Sequence, residues 1–503
     1  MMIYQNKPWM ESEYDLCCPK RRYSIYYCCR YNVLLTELLN LNALAHPEQL
    51  IVGQAILIPG PPPRTLQYTL MAGDTLYKLA QTFNTTVRAI AQANNLNNPN
   101  IVQTGITISI PGWSQISYII RPEDTLYLIA GRFNSPLNLL TRVNQISNPG
   151  LIFPGQIIKI PLRPAAVIRR PSTTIGYFQL TGREQDLNSL RRSLAEIAPY
   201  ITYGALFQFP ITPAGRITIP NNAARFIRIL IDANVAPLMV LTNWGANGFD
   251  SELARTVLSN NTLKVSVINE LSGLLKRWGL TGVNIDFENM FPEDRLIYND
   301  FIRDLVNALR PQGFKVVVTI APKFSDLPTA PWVGAFDYGT LGGLADLIFI
   351  MTYEWGWIGG PPMAVAPINL VNRALNYALS QIPAQKIIQG VPFYGYNWPI
   401  PPEGLAVPVN LVEVYELAYR FQAIIHYDPV SAAPWFRYTD ERNQQHEVWF
   451  EDARSVEAKY RLSKILGLKG VGWWSYVNEP YGFPQNWPVL NEIVQVSKLS
   501  IGG

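Results

Sequence analysis

The chain reads as α/β, an eight-stranded parallel (β/α)8 barrel over residues 172–503, preceded by small α+β units of βααβ order. Three observations carry this. From Thr173 onward, short β-branched runs alternate with amphipathic helical patterns, as parallel strands joined by crossover helices require. Before that, the segment beginning at Tyr68 recurs at Tyr118, fifty residues later, without a slip of register, and a fixed period marks arrayed modules. Between Leu280 and Glu288 an apolar strand ends on two carboxylates, Asp286 and Glu288.

The 503 residues are 48% hydrophobic and 16% charged, a packed composition for which length suggests about three domains. Net charge is +4 with dispersed basic residues, which argues against a nucleic-acid face. No run of about 18 apolar residues is present, so no membrane span is expected. The first residues carry acids and no apolar core, so no standard secretory signal is recognised.

Residues 1–60 hold a partial copy of the repeat. Tyr31 to Pro59 aligns with Phe83 to Pro111 at an offset of 52, matching Asn42 to Asn94 and Gly53 to Gly105. Upstream, Arg22 stands where the repeat has Asp, and Cys17, Cys18, Cys28 and Cys29 fill helix positions. These adjacent cysteines lack the usual zinc spacing, and His46, His426 and His446 supply no ligand set. No metal and no cofactor are expected.

The full copies span 66–112 and 116–162. Asp74 matches Asp124, Phe83 matches Phe133, Asn94 matches Asn144, Gly105 matches Gly155 and Pro111 matches Pro161. In the first, a strand leads to Asp74-Thr75 as a helix cap, then to an apolar face of Leu76, Leu79, Ala80 and Phe83. A second helix over Val87 to Ala93 and a closing strand from Ile106 to Ile110 complete it. Proline-bearing joints at 59–64, 111–114 and 161–164 read as semi-rigid spacers, so the array presents several weak sites and gains avidity on a polymer.

Barrel strands are expected at Thr174–Phe178, Tyr203–Phe207, Pro237–Thr242, Gly282–Phe287, Lys315–Ile320, Leu347–Thr352, Ile387–Pro392 and Gly470–Ser475. Helices fall between most of them, for instance at Asn188–Ala198, Leu263–Trp278 and Asp294–Leu309. Strand-like pieces at Phe436–Thr439 and Glu447–Phe450 mark a β-rich insertion after the seventh strand. Alternation puts Gly282, Asn284, Asp286 and Glu288 on one face and Val283, Ile285 and Phe287 on the other. With the apolar face under helices, the acids emerge at the C-terminal mouth, where barrel enzymes keep their chemistry. Asn243, Trp244 and Tyr394 lie at strand ends and are candidates to line the groove.

The βααβ unit resembles the LysM module. That family binds N-acetylglucosamine polymers, chitin or peptidoglycan, through the loops after its first strand and before its last. Carried over, those loops hold Gly73, Asp74, Thr75 and Ile101 in one copy, and Asp124, Thr125 and Ile152 in the other. The Asp and Thr positions also cap the helix.

Gly282-Val-Asn-Ile-Asp286-Phe-Glu288 resembles the D-G-x-D-x-D-x-E signature of glycoside hydrolase family 18, the chitinase-like barrels. Met351-Thr-Tyr353-Glu354 resembles its M-x-Y-D, Gly390-Val-Pro-Phe-Tyr394-Gly its G-x-P-x-Y-G, and Gly472-Trp473-Trp474 its tryptophan-bearing eighth strand. Two signature acids are replaced, by Thr281 and Asn284, and Asn284 is expected to hydrogen-bond Asp286. This variant, with Glu354 after Tyr353, looks most like the spore cortex-lytic branch, LysM-bearing glycosidases of spore peptidoglycan. The spore or cell wall is then the implied location and a monomer the expected state.

Two acids two residues apart on one strand do not flank a bond as glycosidase pairs usually do. The resemblance implies substrate-assisted chemistry instead: Glu288 as acid, Asp286 and Tyr353 holding the substrate acetamido group, and Trp474 as the sugar floor. Asn284, Glu354, Tyr394 and Asn243 would bind substrate. The alternatives are a chitinase and an inactive glycan-binding barrel, although lectin-like members usually lose the acid kept here as Glu288.

Overall fold

The β-branched runs become the staves of a closed barrel because each carries enough apolar surface to be covered on both faces. The computed structural model describes residues 2–5, 35–42, 50–58, 65–83, 85–96, 102–120, 124–133, 135–146, 148–162, 170–180, 183–401, 404–476 and 483–499. Its barrel strands are β1 (Arg170–Gln179), β2 (Tyr203–Pro210), β3 (Ala236–Thr242), β4 (Gly282–Asp286), β5 (Lys315–Ile320), β6 (Leu347–Ile350), β7 (Ile387–Pro392) and β8 (Gly470–Tyr476). They pair in parallel and in chain order, and β8 also pairs with β1, which closes the ring. All eight expected strands are present, with ends shifted by a few residues.

The two faces of β4 behave as alternation requires. Phe287, just past its end, turns outward and stacks on Tyr298 and Phe301 of the helix Arg295–Leu309, with centroids 6.2 and 5.7 Å away. Asn284 turns inward to side chains of β1 and β5. The expected insertion is a five-stranded antiparallel sheet of Val407–Val409, Gly395–Ile400, Gln445–Trp449, Ala433–Thr439 and His426–Asp428, in that spatial order. Among the described residues no helix is long and apolar enough to cross a membrane.

The chain divides into two compact units. One is Gly60–Ile168, and the other joins Met1–Pro59 to Arg169–Gly503. The expected array of three repeats is therefore split, with the partial first copy belonging to the barrel unit. Its four cysteines, Arg22 and the 59–64 joint lie outside the described residues.

Within Gly60–Ile168, the joint expected at Pro111-Gly-Trp-Ser114 is not a spacer. One strand, Thr107–Ile119, runs through it and pairs with Thr65–Thr69 of one copy and Ile157–Leu162 of the next. The reason is Trp113. Its indole is buried in the first copy's core, edge-on to Phe83 at 5.6 Å, and donates from Nε1 to the Phe83 carbonyl at 2.8 Å. Leu139 and Val143 of the second copy enter the same core. The helix face expected from Leu76, Leu79, Ala80 and Phe83 is fully buried there, and the second helix is Val87–Ala93 as anticipated.

Trp113→Ala removes a buried ring, a change that costs about 3–5 kcal/mol. Thermal unfolding of the full chain should show the Gly60–Ile168 transition moving down while the barrel transition stays in place.

Candidate active site

The polar row of β4 enters a barrel lumen that keeps no water-exposed surface at Asn284. There the Tyr177 hydroxyl of β1 donates to Asn284 Oδ1 at 2.7 Å, and Asn284 Nδ2 donates to Thr319 Oγ1 at 2.9 Å and to the Val317 carbonyl at 3.4 Å. The bond expected from Asn284 to Asp286 is not made. The carboxamide is already committed to β1 and β5, so Asn284 acts below the mouth rather than on substrate.

One step up, Asp286 is 4% exposed, and its Oδ1 is buried without a hydrogen-bond partner among the described residues. A buried acceptor left unmatched costs about 1–3 kcal/mol, and this one lies at the C-terminal end of β4, two residues from Glu288. Burial pushes the Asp286 carboxyl up to about 7. Glu288, half-buried beyond the strand end, is raised well above the ordinary range. Desolvation is the first cause, followed by the charges of Asp286 and Glu354.

The backbone of Glu288 is held by Asn243. Asn243 Oδ1 accepts from the Glu288 N–H at 3.0 Å, and its Nδ2 donates to the Glu288 carbonyl at 2.8 Å and to the Asp250 carbonyl at 3.0 Å. Asn243 has no exposed surface. It was expected to line the groove, but its polar atoms are spent on main chain, and it positions the acid instead.

Tyr353 packs at the mouth against Gly390, where a Cβ would stand 2.8 Å from its ring; a side chain at that position would displace the tyrosine. Its hydroxyl is raised well above its usual value by burial first, then by Tyr177 and by Asp286, Glu288 and Glu354. These groups form one electrostatic cluster. Glu354 takes a left-handed backbone, φ 67°, which is uncommon for a residue with a Cβ. Two hydroxyls hold its Oε1, those of Tyr394 and, at 3.0 Å, Tyr396. Tyr394 was expected on the groove; its hydroxyl is engaged with Glu354, as is that of Tyr396, a residue the sequence reading missed. The two-residue spacing of 394 and 396, where the chain leaves Tyr394 for the strand Gly395–Ile400, was the available signal.

Trp474 lies between the edge of Phe207, at 4.7 Å, and Tyr177, at 5.5 Å. Phe207 continues the aromatic surface to Trp244, 37% exposed, at 6.3 Å. Trp473 faces outward, buried, with its Nε1 bonded to Tyr460. A cleft of about 560 Å³ lined by Arg191, Asp232 and Lys498 adjoins the helix Glu184–Ile197, which feeds the N-terminal end of β2, and it holds none of this chemistry.

In the repeats, Thr75 and Thr125 cap their helices, accepting from Lys78 N at 3.2 Å and Leu128 N at 3.1 Å. Asp74, expected to face glycan, is half-buried, with its side chain only 3% exposed. Its carboxylate takes Met71 N and the Tyr68 hydroxyl, each at 2.8 Å, and the Arg142 guanidinium of the next copy. Asp124 accepts from Tyr118 in the same way. Gly73 is exposed and Ile152 half-buried; Ile101 lies outside the described residues.

Residues 211–479 match the model of the glycosyl hydrolases family 18, and 29–59, 68–111 and 118–161 match that of the LysM domain. A "Cortical fragment-lytic enzyme" of Bacillus subtilis (strain 168) is 42% identical over 434 residues, 86% of this chain and 98% of that protein. Among solved structures, the spore cortex-lytic enzyme SleL of Bacillus megaterium QM B1551 is 32% identical with a TM-score of 0.66, covering 87% of this chain and 100% of that one. SleL of Bacillus cereus is 34% identical with a TM-score of 0.63, covering 86% and 99%.

Two outcomes follow from the geometry. Asn243→Ala releases the Glu288 backbone, and if Glu288 reacts with substrate, a displacement of about an ångström costs on the order of 100-fold. Steady-state kinetics should place that loss in kcat, with KM little changed. Glu354→Gln removes a negative charge that raises the Glu288 carboxyl. The proton then leaves Glu288 at lower pH, so the alkaline limb of kcat/KM against pH should move toward acid.

Proposed function

The chain belongs to glycosyl hydrolases family 18, and from that premise we propose that it is a glycosidase of spore cortex peptidoglycan. It cleaves the β-1,4 bond after N-acetylglucosamine with retention, acts in the spore or cell wall as a monomer, and is held on its polymer by LysM modules. The cortical fragment-lytic and cortex-lytic names of the long, well-covered relatives support the substrate. The observation that carries the mechanism is the unmatched, buried Oδ1 of Asp286, two residues from Glu288 on one strand.

In this reading the substrate brings its own nucleophile, the 2-acetamido carbonyl, as in the substrate-assisted exception to the two-carboxylate scheme. Its N–H donates to Asp286 Oδ1, which fills that acceptor and orients the carbonyl oxygen toward the anomeric carbon. Glu288, protonated because burial and neighbouring charge raise it, gives its proton to the departing glycosidic oxygen. As the carbonyl oxygen bonds to the anomeric carbon, positive charge develops on the oxazolinium ring, and Asp286 offsets it. Tyr353 donates its hydroxyl to the same acetamido group, and Trp474 supplies the apolar floor for the sugar. Water, deprotonated by Glu288, then opens the ring and restores the configuration.

Glu288→Gln should bind cortex fragments and release no reducing ends, with loss of at least about 1,000-fold, within the range that removal of an acid–base group produces. Mass spectrometry of fragments from cortex, run beside chitin oligomers, checks the substrate. Equal or faster turnover of chitin would make the enzyme a chitinase, and binding without turnover on either would make it a glycan-binding barrel.

A further inference from the structure

The three repeats give an internal comparison at the loop before the closing strand. Gly53, Gly105 and Gly155 occupy equivalent positions with the same left-handed backbone, φ 85°, 88° and 89°. Asn42, Asn94 and Asn144 make the same brace in all three. Each donates to the helix carbonyl four residues back and to a carbonyl fifteen residues on, and accepts from that residue's N–H. The first copy thus keeps the repeat's local architecture.

What surrounds the loop differs. At Gly105 and Gly155 a Cβ would meet nothing within 4 Å, whereas at Gly53 it would lie 1.8 Å from the carbonyl oxygen of Ile425. Phe153 is 65% exposed, and its counterpart Ile51 is 8% exposed and packed in the barrel unit's core, together with Leu57. Ile425, which precedes the edge strand His426–Asp428 of the insertion, donates its N–H to the Val52 carbonyl at 2.9 Å. From the other side Gln485, next to the helix Asn486–Ile493, donates to Asn42 Oδ1 at 2.9 Å and to the Ala55 carbonyl at 3.1 Å.

We infer that the first LysM copy has been converted from a glycan-binding module into a clamp, its ligand loop seated between the insertion and the last helix of the catalytic unit. Polymer binding is then the work of the two tandem copies alone. The backbone approach at Gly53 leaves no room for a sugar, and the Asn42 brace carries an additional bond to Gln485 that, among the described residues, its counterparts lack. The second half of this inference rests on the reading of the tandem copies as glycan-binding.

The three glycines test it in the full-length chain. Gly53→Ala, Gly105→Ala and Gly155→Ala share the same backbone strain, so any difference reports the surroundings. Gly53→Ala should lower the unfolding midpoint of the barrel unit by about 5 °C or more and leave retention on insoluble peptidoglycan within twofold. Gly105→Ala and Gly155→Ala should leave that midpoint unchanged and weaken retention several-fold. If Gly53→Ala prevents folding, Gln485→Ala gives the same two readouts with a smaller shift. A barrel midpoint unmoved by both first-copy variants, or retention that falls with Gly53→Ala while the midpoint holds, overturns the clamp. Failure of the unaltered chain to sediment with peptidoglycan would instead count against the tandem's glycan binding, and the midpoints would still decide the clamp.

Discussion

Asp286 and Glu288 leave β4 two residues apart, and withdrawing two carboxyls from water at that spacing sets a condition the rest of the barrel mouth has to meet. An ionised carboxylate in such a site costs several kcal/mol unless a cation answers it. No Lys or Arg is among the causes that shift Asp286, Glu288 or Glu354. All three carboxyls are therefore raised by burial, and Glu288, which also feels the charges of Asp286 and Glu354, holds its proton more tightly than a free carboxyl, as the proposed general acid needs near neutral pH. The neighbours are neutral for the same reason. Asn284 stands where the family signature has another acid, so that position contributes hydrogen bonds to Tyr177, Thr319 and Val317 in place of a charge. Asn243 fixes the position of Glu288 through its main chain and adds no charge to the balance.

Much of this is legible in the amino-acid sequence. The strands announce themselves as β-branched runs between helical patterns, and the placement of Phe287 outward and Asn284 inward follows from a period of two. Partners were not legible. Periodicity states which way a side chain points, whereas the bond from Asn243 to Glu288 joins residues 45 positions apart through the pairing of β3 with β4. Asn284 was misassigned for a related reason: two residues sharing a face along one strand are farther from each other than from the neighbouring strands. Tyr396 was missed because its role arises in the insertion, whose strands carry no motif.

The repeats show the same limit in another form. From the second helix to the closing strand the three copies align without a gap, and over that stretch sequence alone treats them as equals. The Pro-Gly at 111–112 read as a joint, yet Trp113 draws that segment into a shared sheet. Gly53 is indistinguishable from Gly105 in sequence, and only the approach of Ile425 separates them. Identity of local structure is set by the repeat, and its use is set by whatever packs against it.

The hold of Tyr394 and Tyr396 on Glu354 reaches beyond the site itself. Both hydroxyls favour the ionised form of Glu354, and that charge adds to burial and to Asp286 in raising Glu288. Weakening either contact lets Glu354 take up a proton sooner, which relaxes the pressure on Glu288 and lowers its affinity for its own. In the proposed mechanism the proton affinity of Glu288 is therefore linked to the tyrosine pair that leads into the insertion, and not to β4 alone.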